Sequence, residues 1–293
     1  MKILVTGAQG MVGQGIQTKF SKYNLLLTAR KIPTRRRNRL WKSLDITDKR
    51  QVKKILEDFK PNIIIHLAAL TNLEFCQKFP RAAFVVNGLG TKFLAEQAKI
   101  LRADFAYIST ANVFPGKKKF YTENDRPGSL NTYGRSKLEG EKYIKKILKK
   151  YYIVRAGWMI GVDPKKDKKF VGLIANQLKQ GKKEISVVND KFGTLTFAQN
   201  LASNLKKLIE YKMYGTYHLS CEKPISRYDI ADEMVKYSKS KVKLTPVSST
   251  FFKHSFFVPR PKYECLKSIK DNFIKIRTLP KWRIMLRKYL DKF

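Results

Sequence analysis

Lys2-Ile3-Leu4-Val5-Thr6-Gly7-Ala8-Gln9-Gly10-Met11-Val12-Gly13 is the stretch from which the rest of the chain can be read. Residues 2–6 form a short apolar, β-rich run that predicts a buried strand. Three glycines follow in the spacing G-x-x-G-x-x-G, and a helical pattern then runs to about residue 22. In such a strand–turn–helix the first glycine permits the tight turn. The second lets backbone approach a pyrophosphate at the helix N-terminus, and the third allows the helix to pack closely on the strand. Glycines also mark ordinary turns. Their place between a strand and a helix favours a dinucleotide cradle.

Working outward, residues 24–28 read as a second strand and a short third one ends near Leu44. Residues 51–59 carry Val52, Ile55, Leu56 and Phe59 on one helical face, stopped by Pro61. Residues 62–67 are apolar on both faces, as a strand inside a parallel sheet should be. Helices over 84–101 and 136–150 alternate with strands over 104–109 and 152–155. The alternation predicts right-handed βαβ crossovers and an α/β fold, a Rossmann-type doubly wound parallel sheet. Beyond Gly161 the pattern changes to helices over 170–180, 199–211 and 228–238 separated by loops, with an irregular aromatic stretch at 247–261. The expected organisation is a dinucleotide-binding domain over 1–160 and a smaller C-terminal substrate-binding lobe, mainly 161–293. Parts of 190–220 return to the first domain. The lobe would cover the carboxyl ends of the strands, where open α/β sheets bind ligands.

Composition narrows the classes. The chain has 293 residues, 61 Lys and Arg against 23 Asp and Glu, and a net charge of +38. At 43% hydrophobic it has ample material for a core, which argues against intrinsic disorder. Divided at residue 150, the charge is +20 in the first part and +18 in the second. An excess so evenly spread argues against a dedicated nucleic-acid tail. The nearest things to basic blocks are Arg35-Arg36-Arg37-Asn38-Arg39, Lys117-Lys118-Lys119 and Lys165-Lys166-Asp167-Lys168-Lys169. No apolar run approaches the ~18 residues of a membrane span, and the N-terminal strand runs into a glycine turn rather than a signal-peptide cleavage site. Cys76, Cys221 and Cys265 are distant and odd in number, which disfavours a disulfide framework or a zinc cluster. A reducing cytoplasm is the expected compartment. His66, His218 and His254 have no metal-ligand spacing and read as packing or surface residues.

The end of the second strand commonly selects between nicotinamide cofactors, an acidic residue for the ribose hydroxyl or an Arg for a 2′-phosphate. Here it reads Leu27-Thr28-Ala29-Arg30-Lys31 with no carboxylate. NADP(H) is therefore preferred and NAD(H) stays open. Asp45, at the end of the third strand, either faces the adenine or caps the following turn. Tyr133-Gly134-Arg135-Ser136-Lys137 puts a phenol and an ammonium at i and i+4 on one helix face. The ammonium is expected to lower the phenol's pKa and make it a usable acid or base. Ile108-Ser109-Thr110 ends a strand and would present a hydroxyl at the carboxyl edge of the same sheet.

Together these features resemble the extended short-chain dehydrogenase/reductase superfamily. Within it the likeness is greatest to the dTDP-4-dehydrorhamnose reductases and runs through most of the chain. It is carried by 5–13, Leu44-Asp45-Ile46-Thr47-Asp48, His66-Leu67-Ala68-Ala69-Leu70-Thr71-Asn72 and Val86-Asn87-Gly88-Leu89-Gly90-Thr91. It continues through 108–116, 133–137 with Gly140-Glu141, Arg155-Ala156-Gly157-Trp158, Phe192-Gly193-Thr194-Leu195-Thr196 and Arg260-Pro261. The resemblance implies that Thr110, Tyr133 and Lys137 are catalytic. Tyr133 would protonate the sugar's C4 oxygen, Thr110 would hydrogen-bond it, and Lys137 would hold the nicotinamide ribose. It further implies that Gly7, Gln9, Gly10, Met11, Val12, Gly13, Arg30, Asp45, Ile46, Ala68, Ala69, Tyr133 and Lys137 meet the cofactor. Thr71, Thr110, Asn112, Trp158 and Arg260 would meet the substrate. Trp158 also reads as a core residue and Asn87 as a backbone-bonding one.

The implied activity is NADPH-dependent reduction of the 4-keto group of a nucleotide-linked 6-deoxysugar, in surface polysaccharide or deoxysugar biosynthesis. The partner is then a nucleotide sugar, with no membrane and no nucleic acid. A homodimer and Mg²⁺ rest on family analogy alone. Two features depart from the family pattern. Ala111 and Asn112 stand where an Asp and a Tyr usually follow the catalytic Thr, and the acidic residue after the fourth strand is represented only by Glu74. Both departures bear on which sugar is bound. Two alternatives stay open: an epimerase or dehydratase of the same fold, and a non-catalytic cofactor-binding regulatory or RNA-associated protein.

Overall fold

The computed structural model describes residues 1–32, 40–163, 167, 169–221, 223–279 and 281–292. The basic run 35–39 and Lys165, Lys166 and Lys168 lie outside the described residues. Seven parallel strands form the central sheet: β1 (Lys2–Thr6), β2 (Asn24–Ala29), β3 (Trp41–Ser43), β4 (Ile63–His66), β5 (Asp104–Thr110), β6 (Tyr151–Ala156) and β7 (Gly215–Leu219). Their order is β7-β6-β5-β4-β1-β2-β3. Val5 therefore pairs with Leu27 on one side and Ile65 on the other. The chain winds outward from β1 in one direction through β2 and β3, then returns to wind the other way from β4. The resulting switch point, at the loops after β1 and β4, is the usual ligand crevice of such sheets. The expected doubly wound parallel sheet is what forms.

The main helices are α1 (Met11–Lys19), α2 (Lys49–Phe59), α3 (Gly90–Ile100), α4 (Thr132–Ile147) and α5 (Ala198–Glu210). One apolar cluster joins Ile3, Val5 and Ile65 to Ile16 of α1 and to Leu201, Leu205 and Leu208 of α5. A second joins Leu4, Ile64 and Phe105 to Val52 and Leu56 of α2 and Leu94 of α3. The sheet is thus sandwiched between helices, which is why its strands are apolar on both faces. Before α3 the helical segment Pro80–Phe84 passes into a π-helical turn, Val85–Leu89, a form common at functional sites.

The structure departs from the expected elements in several places, among them the seventh strand, Gly215–Leu219, which was not expected. Helix α4 starts four residues before the expected residue 136, because Asn131 caps it by accepting a hydrogen bond from Gly134 N at 2.9 Å. Tyr133 consequently lies inside the first turn. The C-terminal region is also not helices and loops alone. It carries three small sheets that pair Trp158–Ile160 with Leu195–Phe197, Glu184–Val188 with Lys243–Val247, and Phe192–Gly193 with both Ile225–Ser226 and Tyr263–Glu264. Several of these strands are two or three residues long, too short for any alternation to show. They pack with helices Phe170–Lys179, Arg227–Ser238 and Trp282–Leu290 around Ile185, Phe197, Ile230, Met234 and Leu286.

Candidate active site

The loop after β1 fits a dinucleotide. Gly7 has φ +64°, and a Cβ there would lie 2.6 Å from Ala68 N, so the loops after β1 and β4 cross in contact. A Cβ on Gly13 would lie 2.2 Å from Ala8 O, so α1 packs directly on the turn. Gly10 is the N-cap of α1 and supplies no side-chain cap. The first-turn amide groups are thus available to an anion, with the helix dipole behind them. Val12 and Met11 are half-buried in that turn, and Gln9 reaches across to donate to Lys31 O at 2.5 Å. Ala68 and Ala69 are half-buried in the loop after β4. Ile46 is buried.

Arg30 is exposed at the end of β2, with its carbonyl accepting from Ser43 Oγ at 3.0 Å. Asp45 closes a local turn. Its Oδ1 accepts from Thr47 N at 2.9 Å and Thr47 Oγ1 at 2.7 Å, closing the turn before α2.

Beneath this cradle runs a buried relay. Thr6 Oγ1 accepts from Leu67 N and Ala68 N, so its proton goes to His66 Nδ1 at 2.6 Å. His66 Nε2 then donates to Thr91 Oγ1 at 3.0 Å, and Thr91 donates to Asn87 O at 2.7 Å. Burial keeps the His66 pKa well below its ordinary range, assisted by the nearby Lys137 charge. His66 is therefore a neutral structural residue that ties β1, β4 and α3 together. Asn87 is a backbone clamp, pairing its amide with Leu70 N and O and donating to Ser136 Oγ at 2.9 Å.

Thr110, Tyr133 and Lys137 come together at the carboxyl end of β5. The close approach depends on Gly134, where a Cβ would lie 2.1 Å from Asn112 O. The Thr110 hydroxyl is near enough to the Tyr133 phenol to pull its pKa down, but burial outweighs this and pushes it up to about 12. Lys137 is 3% exposed, with Nζ 3.9 Å from the Tyr107 ring centroid. Burial brings its pKa down to about 7, against the opposing pull of Glu141. The expectation that the lysine lowers the tyrosine's pKa is thus corrected for the ligand-free chain. Both groups are desolvated, and desolvation favours the neutral form of each.

One turn beyond Lys137, Glu141 accepts from Ser109 Oγ at 2.6 Å and from Arg155 Nε and Nη2 at 3.0 and 2.7 Å. This pair is almost fully buried, at 1% and 2% exposure. It locks α4 to β5 and β6 directly behind the catalytic stripe.

Of the expected substrate residues, Thr71 is exposed. Asn112 is buried with both ends of its amide engaged: Nδ2 donates to Glu264 Oε2 at 2.5 Å and Oδ1 accepts from Asn131 Nδ2 at 3.0 Å. Arg260 donates to Glu74 Oε1 at 2.6 Å and to Val258 O at 3.1 Å. Trp158 is half-buried with the Arg227 guanidinium 4.6 Å from its ring centroid. Sequence reasoning missed Glu264 and Arg227. Neither lies in a motif, and only the lobe's small sheets bring them to Trp158 and Asn112. Burial raises the Glu264 pKa despite Trp158, Arg227, Arg260 and Asn112 nearby.

Among the described residues no group of three or more His, Cys, Asp or Glu side chains could hold a metal ion, and no helix is long and apolar enough to cross a membrane.

Comparison with known proteins bears on the fold and the family. The chain is 30% identical, over 99% of its length and 97% of the other's, to the spore coat polysaccharide biosynthesis protein SpsK of Bacillus subtilis strain 168. The crystal structure of dTDP-4-dehydrorhamnose reductase from Yersinia enterocolitica superposes with a TM-score of 0.90 at 35% identity, covering 100% of this chain and 99% of that one. The dTDP-4-dehydrorhamnose reductase of Bacillus anthracis, solved in complex with NADP, gives 0.89 at 31% identity, with coverage of 100% and 99%. The family described as RmlD substrate binding domain matches residues 1–293. With the extended short-chain dehydrogenase/reductase fold and the Thr110–Tyr133–Lys137 grouping in place, the chain belongs to the RmlD substrate binding domain family.

Proposed function

We propose that this protein is an NADPH-dependent reductase of the 4-keto group of a nucleotide-linked 6-deoxysugar, serving polysaccharide or deoxysugar biosynthesis. The observation that carries the reading is the meeting of the Thr110 and Tyr133 hydroxyls, one turn from Lys137, beside the glycine cradle. The bound nicotinamide supplies the reducing equivalent. Tyr133, kept neutral by burial up to about pH 12, is a proton donor at neutral pH and delivers its proton to the sugar's C4 oxygen as charge develops there. Thr110 hydrogen-bonds the same oxygen and orients it. Among the described residues no protein atom accepts a hydrogen bond from Lys137 Nζ, which lies over the Tyr107 ring. Its donors therefore serve the nicotinamide ribose. Gly7, Gly10, Gly13 and the first turn of α1 receive the pyrophosphate, with Ala68, Ala69 and Ile46 along the ring systems. Arg30, on a strand end without a carboxylate, supports a 2′-phosphate and hence NADP(H) over NAD(H).

The test is to incubate the protein with NADPH and dTDP-4-dehydro-L-rhamnose or related 4-keto sugars, following absorbance and product. Turnover is expected in the parent, with a loss of roughly 10²- to 10⁴-fold in Tyr133→Phe. Failure to oxidise NADPH with every keto sugar offered refutes the reductase reading. Sugar conversion on a retained cofactor, without net NADPH consumption, identifies an epimerase instead.

A further inference from the structure

Asn112 touches both hydroxyl-bearing segments of the site. Its backbone N donates to Thr110 Oγ1 at 3.2 Å, so that hydroxyl accepts from the backbone and keeps its own proton for another partner. Its carbonyl is the surface on which Gly134 packs, 2.1 Å from where a Cβ would stand. A shift of Asn112 therefore moves Thr110 and the turn carrying Tyr133 together.

A chain of buried side chains fixes Asn112. Gly134 N can only donate, so Asn131 turns Oδ1 to it at 2.9 Å. Asn131 Nδ2 then donates to Asn112 Oδ1 at 3.0 Å and to Pro259 O at 3.2 Å. Asn112 Nδ2 is left to donate to Glu264 Oε2 at 2.5 Å. With a carboxylate accepting at one end and a backbone N–H donating at the other, each amide between them has one orientation. Asn131, Asn112 and Glu264 are 0%, 7% and 9% exposed, so water is a poor substitute for any of them. Glu264 itself belongs to the C-terminal lobe. Its short strand pairs with Phe192–Gly193, and its carbonyl accepts from Thr194 N at 3.4 Å. Arg227, held between the Trp158 and Phe170 rings at 4.6 and 4.9 Å from their centroids, and Arg260 put positive charge beside the carboxyl.

We propose that Glu264 is a positioning residue: through Asn112 and Asn131 it ties the C-terminal lobe to the N-cap of α4 and so sets the Thr110 and Tyr133 hydroxyls for proton delivery. Its kinetic consequence rests on the reductase reading above, and its structural consequence on the hydrogen bonds alone.

The test compares the parent with Glu264→Ala, Glu264→Gln, Asn112→Ala and the double variant Glu264→Ala/Asn112→Ala. Glutamine removes the charge but keeps a carbonyl to accept from Asn112. In NADPH-dependent reduction of a 4-keto sugar nucleotide, kcat should fall roughly 10- to 100-fold in each alanine variant, with KM for NADPH within about threefold of the parent. The double variant should lose no more than about threefold beyond the weaker single, as two links of one chain do. Glu264→Gln should stay within about fivefold of the parent. In the ligand-free proteins, hydrogen exchange at the Gly134 amide should be roughly 3- to 10-fold faster in the alanine variants, the usual effect of a loosened cap. It should keep the parent rate in Glu264→Gln, and the amides of α1 should be unchanged throughout. Asn112→Ala cuts the chain while leaving the Glu264 and Arg227 charges in place, and it decides the matter if Glu264→Ala does not fold. A kcat within about threefold of the parent in Asn112→Ala, a loss in Glu264→Gln as large as in Glu264→Ala, losses that multiply in the double variant, or an unchanged Gly134 exchange rate each overturns the assignment. If the parent reduces no keto sugar, the reductase reading fails, and the Gly134 exchange rates alone uphold or overturn the positioning role.

Discussion

Lys137→Met should stabilise the ligand-free protein, and by an amount that depends on pH. The unfolded chain keeps the lysine proton up to its ordinary pKa of 10.5, whereas burial brings the folded value down to about 7. Between those values the unfolded state binds the extra proton, so this residue makes stability rise with pH. At 1.36 kcal/mol per pKa unit the full burden of the charged form is roughly 5 kcal/mol below pH 7. Methionine is close in volume and carries no charge. The variant should therefore be more stable than the parent by about 5 kcal/mol at pH 6, shrinking to about 1 kcal/mol near pH 9.5. Urea unfolding of both proteins without cofactor at pH 6, 7.5 and 9.5 gives the difference directly, and comparing the pair cancels the other titrating groups. A gap that does not change with pH, or a less stable methionine variant at pH 6, would refute the claim that burial strains this lysine. Catalysis should collapse in the same variant, because the strained ammonium is the group proposed to hold the cofactor ribose.

Glu141→Leu leaves the Arg155 guanidinium buried without its carboxylate and should cost about 3–5 kcal/mol in urea unfolding; adding Arg155→Met should recover most of it. Burial alone would push the Glu141 carboxyl up, but Arg155 and Ser109 bring it net below its ordinary 4.5. Its contribution is thus in place above about pH 4.5 and fades as pH falls through the lowered folded value, so an acid titration of the parent against Glu141→Gln should converge there. Gly13→Ala drives a methyl to 2.2 Å from Ala8 O, which must push α1 off the turn. About 1–3 kcal/mol of stability should be lost, and NADPH titration should show weaker binding; unchanged affinity would mean that this packing does not shape the cradle. Arg30→Ala should cut the preference for NADPH over NADH by roughly 10-fold, about 1.4 kcal/mol. An unaltered ratio of kcat/KM values would remove Arg30 from the cofactor site.

What the sequence determined by itself is what is encoded within about ten residues. The period of the apolar runs gave β1 to β6 and the parallel, twice-covered sheet. Glycine spacing after β1 marked the cradle, and the i, i+4 spacing put Tyr133 and Lys137 on one face, because backbone geometry and helical period are local properties. The tertiary structure decided everything that depends on who sits across from whom. It joined Asn112 to Glu264 across 152 residues and Arg260 to Glu74 across 186. It set Arg227 between two rings, and Gly134 against the Asn112 carbonyl so that Thr110 could meet Tyr133. It also reversed the expected sign of the tyrosine's shift. In sequence Tyr133 and Lys137 are a phenol beside a cation, but in the fold both are stripped of water, and a pKa is fixed by that surrounding dielectric as much as by the neighbour's charge.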